Sequence, residues 1–165
     1  MRTFKLVAAM VVALASVGGG VARASGTAEA KVEVTFPIFI EKTRDLDFGN
    51  IVPGPAGGTV QMSTAGVRTF TGSPVAGNAA DEGPAIFKVT GVAGEGYDIV
   101  LPDPFMLEGP GDDMLVDGIA STPSGSGVLG IGGDQSFGVG ATLHVGADQT
   151  PGAYTKSFEV TVTYN

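Results

Sequence analysis

The stretch 137-FGVGATLHV-145 decides the fold class, because its apolar residues fall at every second position. Phe, Val, Ala, Leu and Val share one parity, whereas Gly, Gly, Thr and His occupy the other. A period of two is the pattern of a β-strand with one buried face. The stretch 158-FEVTVTY-164 has the same alternation of apolar and polar residues. Both stretches therefore predict strands.

Shorter stretches of the same kind lie upstream, separated by glycine and proline. They predict strands at 59–63, 67–71, 85–90 and 97–101, a first strand from about Ile38, and a weak strand at 114–116. The connections 64–66 and 91–96 predict two strand pairs, the second a hairpin. With 27 glycines and ten prolines, ordinary helices are not expected. The sequence predicts an all-β, immunoglobulin-like β-sandwich of about seven or eight strands over residues 37–165.

The N-terminus has the pattern of a secretory signal peptide. Two basic residues precede the apolar run 6–15, and an Ala-Arg-Ala motif at 22–24 fits the small-x-small cleavage rule. The run is shorter than the roughly 20 apolar residues that a membrane span needs. We therefore expect residues 1–24 to be removed. The exported form would begin near Ser25, carry no membrane span, and pass from the periplasm to the cell surface.

Charge and cysteine content exclude several classes of function. Without residues 1–24 the chain keeps six of its nine basic residues against 17 acidic ones, so the formal net charge changes from −8 to −11. Such a charge repels nucleic acid and anionic membranes. The sequence has no cysteine, which excludes disulfides, thiol catalysis and cysteine–zinc sites.

The segment 25–36 alternates as strictly as a strand. Its apolar residues share one parity and are Ala28, Ala30, Val32, Val34 and Phe36. The opposite parity carries Glu29, Lys31 and Glu33. Pro37 cannot donate to a β-ladder, so it separates this segment from the domain that follows. The segment can act as a strand donated to a neighbouring subunit, or it can fold back as the first strands of its own domain.

A search for catalytic and cofactor sites gives no supported candidate. The single histidine, His144, lies on the polar parity beside Thr142, and we expect it to face solvent without a partner. The glycines at 130–133 precede no predicted helix and so do not form a nucleotide loop. In the acidic loop 98–117, Asp112 and Asp113 are weak candidates for calcium ligands, although a solvated loop is favoured. No enzyme activity and no cofactor are expected.

Several segments together resemble one family. They are 46-LDFG-49, 87-FKVTG-91, 97-YDI-99, 137-FGVGATL-143, 151-PGAY-154 and 160-VTVTYN-165. They resemble the secreted bacterial family called domain of unknown function 4402, which is similar to spore-coat-U-like proteins and archaic chaperone–usher pilins. The resemblance implies a pilin-like domain that lacks its last strand. A periplasmic chaperone completes such a domain first, and the next subunit's N-terminal extension completes it at the outer-membrane usher.

The resemblance also implies a role for the C-terminal residues. Many pilin subunits end on a strand with a penultimate Tyr and with Gly fourteen residues from the end, and Tyr164 and Gly152 match these positions. The residues expected in terminal-strand pairing are Gly152, Phe158, Val160, Val162 and Tyr164. The absence of cysteine departs from archaic pilins, which commonly carry a disulfide.

The sequence thus predicts a structural or adhesive subunit of a bacterial surface filament or fimbria, assembled by β-strand addition through residues 25–36. Its partners would be copies of itself or related subunits, together with a chaperone and an usher. The alternative is a monomeric secreted or surface-matrix binding module with weak calcium binding in the acidic loop.

Overall fold

The computed structural model describes residues 25–34, 36–78 and 81–165. Within these ranges every regular element is a β-strand, as the sequence predicts, and there is no helix. Consequently, no described segment is a helix suited to crossing a membrane. The predicted signal peptide, residues 1–24, lies outside the described residues. The chain divides into two units, Met1–Val34 and Thr35–Asn165.

The described part of the second unit contains twelve strands. They are β1 (Phe39–Arg44), β2 (Ile51–Val52), β3 (Gly58–Met62), β4 (Arg68–Gly72), β5 (Val75–Ala76), β6 (Ala85–Thr90), β7 (Gly96–Val100), β8 (Phe105–Leu107), β9 (Met114–Thr122), β10 (Ser126–Val128), β11 (Asp134–Val145) and β12 (Thr161–Tyr164). The expected seven or eight strands were too few. The strands β2, β5, β8 and β10 have only two or three residues, too few for a period of two to show.

Seven of the strands form an antiparallel sheet built around β11. The strand β6 pairs with residues 134–139 of β11, β3 pairs with residues 141–145, and β9 runs along residues 138–143. Beyond these strands, β1 pairs with β6, β4 with β3, and β8 with β9. A three-stranded sheet has the order β10-β7-β12, and β2 pairs with β5.

One of the two predicted strand pairs is present. The strands β3 and β4 pair across the turn 64–66, with Met62 opposite Arg68. The strands β6 and β7 were expected to pair across 91–96, and this was wrong, because they belong to different sheets. The connection 91–96 instead crosses between the sheets and forms backbone hydrogen bonds with the turn that precedes β11.

Two hydrophobic clusters lie along the inner face of β11. The first, here called the sealed cluster, contains side chains from β6 and β11 of the large sheet and from β7 and β12 of the small sheet. Its buried members are Ala85, Phe87, Val89, Tyr97, Ile99, Leu129, Phe137, Val139, Val160 and Val162. The second, here called the open cluster, lies by the C-terminal half of β11. Its buried members are Phe48, Val60, Met62, Met114, Val116, Ala141, Leu143 and Val145.

Gly140 lies where β11 passes from one neighbouring strand to the next. A Cβ at this position would lie 2.3 Å from the carbonyl oxygen of Met62 and 2.7 Å from the carbonyl carbon of Ser63. A glycine in a strand often marks such a close approach of another backbone. The register with β9 also shifts between Gly140 and Thr142. Gly140 therefore lets β3 continue the sheet where β6 ends.

Candidate functional site: a groove between two strand edges

The first edge of the candidate site is the outer side of β1. This strand pairs with β6, with Phe39 opposite Thr90, and the described residues place no strand on its other side. Ile40 and Lys42 line the groove beside it, and Lys42 forms an ion pair with Asp45. An edge strand of this kind presents backbone groups that can pair with a further strand.

The second edge is the run that leads into β12. Along residues 158–164 the even-numbered side chains are buried or half-buried and the odd-numbered ones are exposed. The ladder with β7, however, begins only where Thr161 lies opposite Val100. Residues 156–160 therefore precede β12 without a strand partner in the part of the chain that the structure describes.

Side-chain contacts and one isolated backbone bridge, rather than a continuous ladder, hold the start of this second edge. The hydroxyl of Tyr154 accepts a hydrogen bond from the backbone N–H of Gly111 at 3.1 Å. Thr155 forms an isolated antiparallel bridge with Glu108. The carboxylate of Glu108 also binds Lys156, and this hydrogen bond and charge raise the pKa of Lys156 above its usual value. The edge is thus fixed to the loop around residue 110 before any strand is added to it.

A groove of about 1020 Å³ lies between the two edges. Its apolar lining comes from both clusters and from β8 and includes Ala85, Phe87, Phe105, Leu107, Met114, Leu143 and Val145. The ring of Phe105 stacks on Phe158 of the second edge, with ring centroids 5.4 Å apart. This volume reaches the upper end of the roughly 300–1,000 Å³ of small-molecule pockets. Apolar lining between two backbone edges is the geometry that β-strand addition uses.

Three of the predicted terminal-strand residues lie along the second edge and its continuation. Phe158 and Val160 line the groove. Val162 belongs to β12, opposite Ile99 of β7, and is buried in the sealed cluster. Val160 is also buried in the sealed cluster and Phe158 packs against it, so these residues connect the groove to that cluster.

The other two predicted terminal-strand residues lie at the ends of this region. The hydroxyl of Tyr164 accepts a hydrogen bond from the backbone N–H of Val92 at 2.8 Å, which ties β12 to the connection between the sheets. Gly152 has φ +151°, and a Cβ there would lie 2.3 Å from Cγ of Pro110. A side chain at residue 152 would therefore disturb the turn that places Tyr154.

The segment predicted to act as a donated strand has no helix or strand over residues 25–34. Its apolar side chains are exposed: Val32 by 88%, Val34 by 86% and Phe36 by 76%. Ala28 and Ala30 are exposed as well. All five apolar residues of this parity therefore lack the burial that their alternation predicts.

The single histidine does not line the groove. Its Nε2 lies 3.0 Å from Oδ2 of Asp117 on β9, and the side chain is 43% exposed. This approach was not expected, although Nε2 is buried and forms no hydrogen bond within the described residues. Asp112 and Asp113, the candidate calcium ligands, are exposed. Among the described residues no three His, Cys, Asp or Glu side chains are placed to hold a metal ion together.

The fold and the groove define an all-β, cysteine-free domain with antiparallel sheets and one large apolar groove among the described residues. The family DUF4402, a domain of unknown function, matches residues 38–164, and the chain belongs to this family. The match spans all twelve described strands. No curated protein and no solved structure matches the chain. The predicted membership of this family is confirmed, and the likeness to spore-coat-U-like proteins and pilins stays a prediction.

Proposed function

We propose that this protein is a structural subunit of a secreted bacterial surface filament and that it assembles by β-strand addition into the groove. The observation that carries the proposal is the pair of edges, β1 and residues 156–160, which flank apolar lining without a strand between them in the described chain. An immunoglobulin-like, pilin-type domain with one strand position open would present this arrangement. That finer description of the fold is part of the proposal.

An extended peptide in the groove would both pair with the two edges and cover the apolar lining. Its backbone would pair with the edges, at about 0.5–1.5 kcal/mol for each net hydrogen bond. Its alternate side chains would cover the lining, at about 1.5–3 kcal/mol for each fully buried Val or Phe. The segment 25–36 has this alternation, with exposed Val32, Val34 and Phe36 on one parity. Its charged residues lie on the other parity and would face solvent.

Export, the chaperone and the usher belong to the same proposal. They rest on the signal-peptide pattern of residues 1–24 and on the resemblance to pilins. The edge at 156–160 gives a physical reason for a chaperone, because an unpaired edge recruits unintended strands unless it is covered.

Peptide binding tests the proposal directly. A labelled peptide of residues 25–36 is titrated onto the chain carrying Val32→Asp, whose own segment should not compete, and fluorescence polarisation is measured. We expect saturable binding. A peptide that itself carries Val32→Asp should bind at least about 100-fold more weakly, because an unpaired carboxylate in an apolar site costs several kcal/mol. The matched Glu33→Gln peptide, changed on the other parity, should bind like the natural sequence.

A groove variant completes the test. Leu107→Arg adds a charge to the lining and should abolish binding of the natural peptide. Equal affinity of the natural and Val32→Asp peptides, or unchanged binding to the Leu107→Arg chain, would contradict strand addition in this groove.

A further inference from the structure

We propose that the free edge of β4 is an interface between two copies of this chain, which pair edge to edge across a two-fold axis at Phe70. The interface does not involve the groove, so it goes beyond the proposed function and does not depend on it. It follows from the backbone direction, the charge and the sequence of β4.

The strand β4 lies at one margin of the large sheet. It pairs with β3 on one side, and the described residues place no strand on its other side. The strands at the other margins are shorter or adjoin the groove. β8 and β10 have three residues each, whereas β1 and the run that leads into β12 flank the groove. With five paired residues, β4 is an edge on which a further strand can form.

The backbone groups of alternate residues in β4 point away from β3. In an antiparallel pair of strands, hydrogen-bonded and non-hydrogen-bonded residue pairs alternate. The backbone N–H of Ser63 donates to the carbonyl oxygen of Val67 at 2.9 Å, and the register continues along β4 without a shift. Thr69 and Thr71 therefore direct their backbone groups to β3. Phe70, between them, presents its N–H and C=O at the free edge.

The edge exposes no charged side chain, although natural proteins commonly place charges on edge strands. Arg68 is the charged residue of β4, and its side chain is 11% exposed. Its Nη2 lies 3.0 Å from Oε1 of Glu82, and its Nη1 donates to the carbonyl oxygen of Phe48 at 2.7 Å. The strand also contains no proline and no register shift. In a chain of net charge −8, this edge thus lacks the features that prevent pairing with another strand.

The sequence of β4 is self-complementary in the antiparallel direction. Its centre, 69-TFT-71, reads the same in both directions, so an axis at Phe70 places Thr69 opposite Thr71 of the second copy. Both threonines are exposed and Phe70 packs against the open cluster, so each face of the extended sheet keeps its character. Threonine pairs and aromatic pairs across strands stabilise a sheet. Arg68 lies opposite Gly72 of the second copy, which has no side chain to oppose it.

The resulting contact is small and closed. It is isologous, so it ends at two copies. Five residues on each side place it among the weak, transient interfaces that bury less than about 1,200 Å². If strand addition links subunits into filaments, many such contacts act together and join filaments side by side.

The first test exchanges charge at the edge and measures association by sedimentation equilibrium. All chains carry Val32→Asp, so that strand addition does not contribute. This background chain should form dimers that salt strengthens, because two acidic copies repel each other. Thr69→Lys with Thr71→Lys should weaken the dimer about tenfold, although it makes the net charge less negative, because like charges then lie directly opposite each other.

A charge-exchanged partner and a control complete this test. Thr69→Glu with Thr71→Glu should weaken the dimer as well, and a mixture of the lysine and glutamate chains should recover a 1:1 dimer. Gln61→Lys, exposed on the same face of the neighbouring β3, should dimerise like the background chain. A background chain that stays monomeric at millimolar concentration, or lysine variants that associate like it, would overturn the proposal.

The second test examines the register with cysteine, since the natural chain has none. Thr69 and Thr71 of the two copies form a non-hydrogen-bonded pair with Cα atoms about 4.5 Å apart, which a disulfide can span. A mixture of Thr69→Cys and Thr71→Cys chains in the same background, oxidised with glutathione disulfide, should therefore form a mixed disulfide dimer.

Each cysteine variant alone provides the comparison. It places its two cysteines diagonally, about 7–8 Å apart, and should cross-link about tenfold more slowly than the mixture. Gln61→Cys measures cross-linking by random collision. Equal rates for the mixture, for each single variant and for Gln61→Cys would show that β4 does not pair with a second copy about Phe70.

Discussion

The sealed cluster and the open cluster share one face of β11 but are covered in different ways. Phe137 and Val139, in the first half of the strand, are covered by β7 and β12 of the small sheet. Leu143 and Val145, in the second half, are buried too, yet they line the groove beside residues 149–160, which form no strand. Burial of side chains and completion of a ladder are therefore separate properties of this sheet.

The difference indicates that the two halves of β11 have different roles. The sealed half holds the domain together, because its side chains are enclosed between two hydrogen-bonded sheets. The open half keeps its apolar lining accessible between two edges. Substitutions in the two halves should therefore affect different measurements.

The largest effect is expected in the sealed half. Phe137 is 2% exposed and stacks on Phe87 with ring centroids 5.6 Å apart. Phe137→Ala should lower the free energy of unfolding by about 3–5 kcal/mol, because it leaves a cavity. Denaturant unfolding measures the loss, and the peptide 25–36 should not restore it. Val67→Ala, at an exposed position, is the control and should stay within about 0.5 kcal/mol of the natural chain. If Phe137→Ala lowers the free energy of unfolding by less than Val67→Ala does, the sealed half is not what stabilises the domain.

A smaller effect on stability is expected at the groove. Phe158→Ala removes a half-buried ring that stacks on Phe105, and it should lower the free energy of unfolding by about 0.5–1.5 kcal/mol. The same variant should weaken binding of the peptide 25–36, which polarisation measures. The neighbouring Glu159→Gln, on the exposed parity, should change neither quantity. A stability loss as large as that of Phe137→Ala, with unchanged peptide affinity, would show that Phe158 serves only the sealed cluster, against which it also packs.

An effect no larger than that of Phe158→Ala concerns the hydroxyl of Tyr97 in the sealed cluster. Its hydroxyl donates to Oε1 of Gln135 at 2.7 Å, and burial raises its pKa above the ordinary 10.0. The folded state therefore holds this proton more tightly, so its contribution is complete below pH 10.0 and is lost as the pH rises through the raised pKa. Tyr97→Phe should cost about 0.5–1.5 kcal/mol at neutral pH.

The pH dependence provides the check for Tyr97. Unfolding is measured near neutral pH and in the alkaline range for both proteins, and the difference between them should shrink as the pH rises. A constant difference across this range would show that the buried hydroxyl does not titrate with folding.

The strands that could be predicted are those whose pattern is local. Residues 85–90 coincide with β6, and the alternation of 137–145 lies within β11. The partner of β7 could not be predicted, because residues 91–96 permit a hairpin and only packing of the two sheets forbids it. The prediction of a strand over 158–164 was too long, because only Thr161–Tyr164 pair with a neighbouring strand. Alternation reports which face is buried and carries no information about a neighbouring backbone.

The groove could be predicted only in part. Alternation pointed to Phe158 and Val160, which line it. Phe105 and Leu107 of the lining were missed, because β8 has only three residues and lies in a region rich in Gly and Pro. The approach of His144 to Asp117 was missed as well, because it depends on the register between β9 and β11.

The exposed, strandless run 25–34 has a further consequence under the proposed assembly. Such segments are preferred sites of proteolytic nicking. A subunit that loses this run before assembly keeps its groove, so it can receive a strand but cannot donate one. Nicked molecules would then act as terminators at one end of the filament. Filament length would depend on the ratio of nicked to intact chains, and extracellular proteases would regulate it without touching the folded domain.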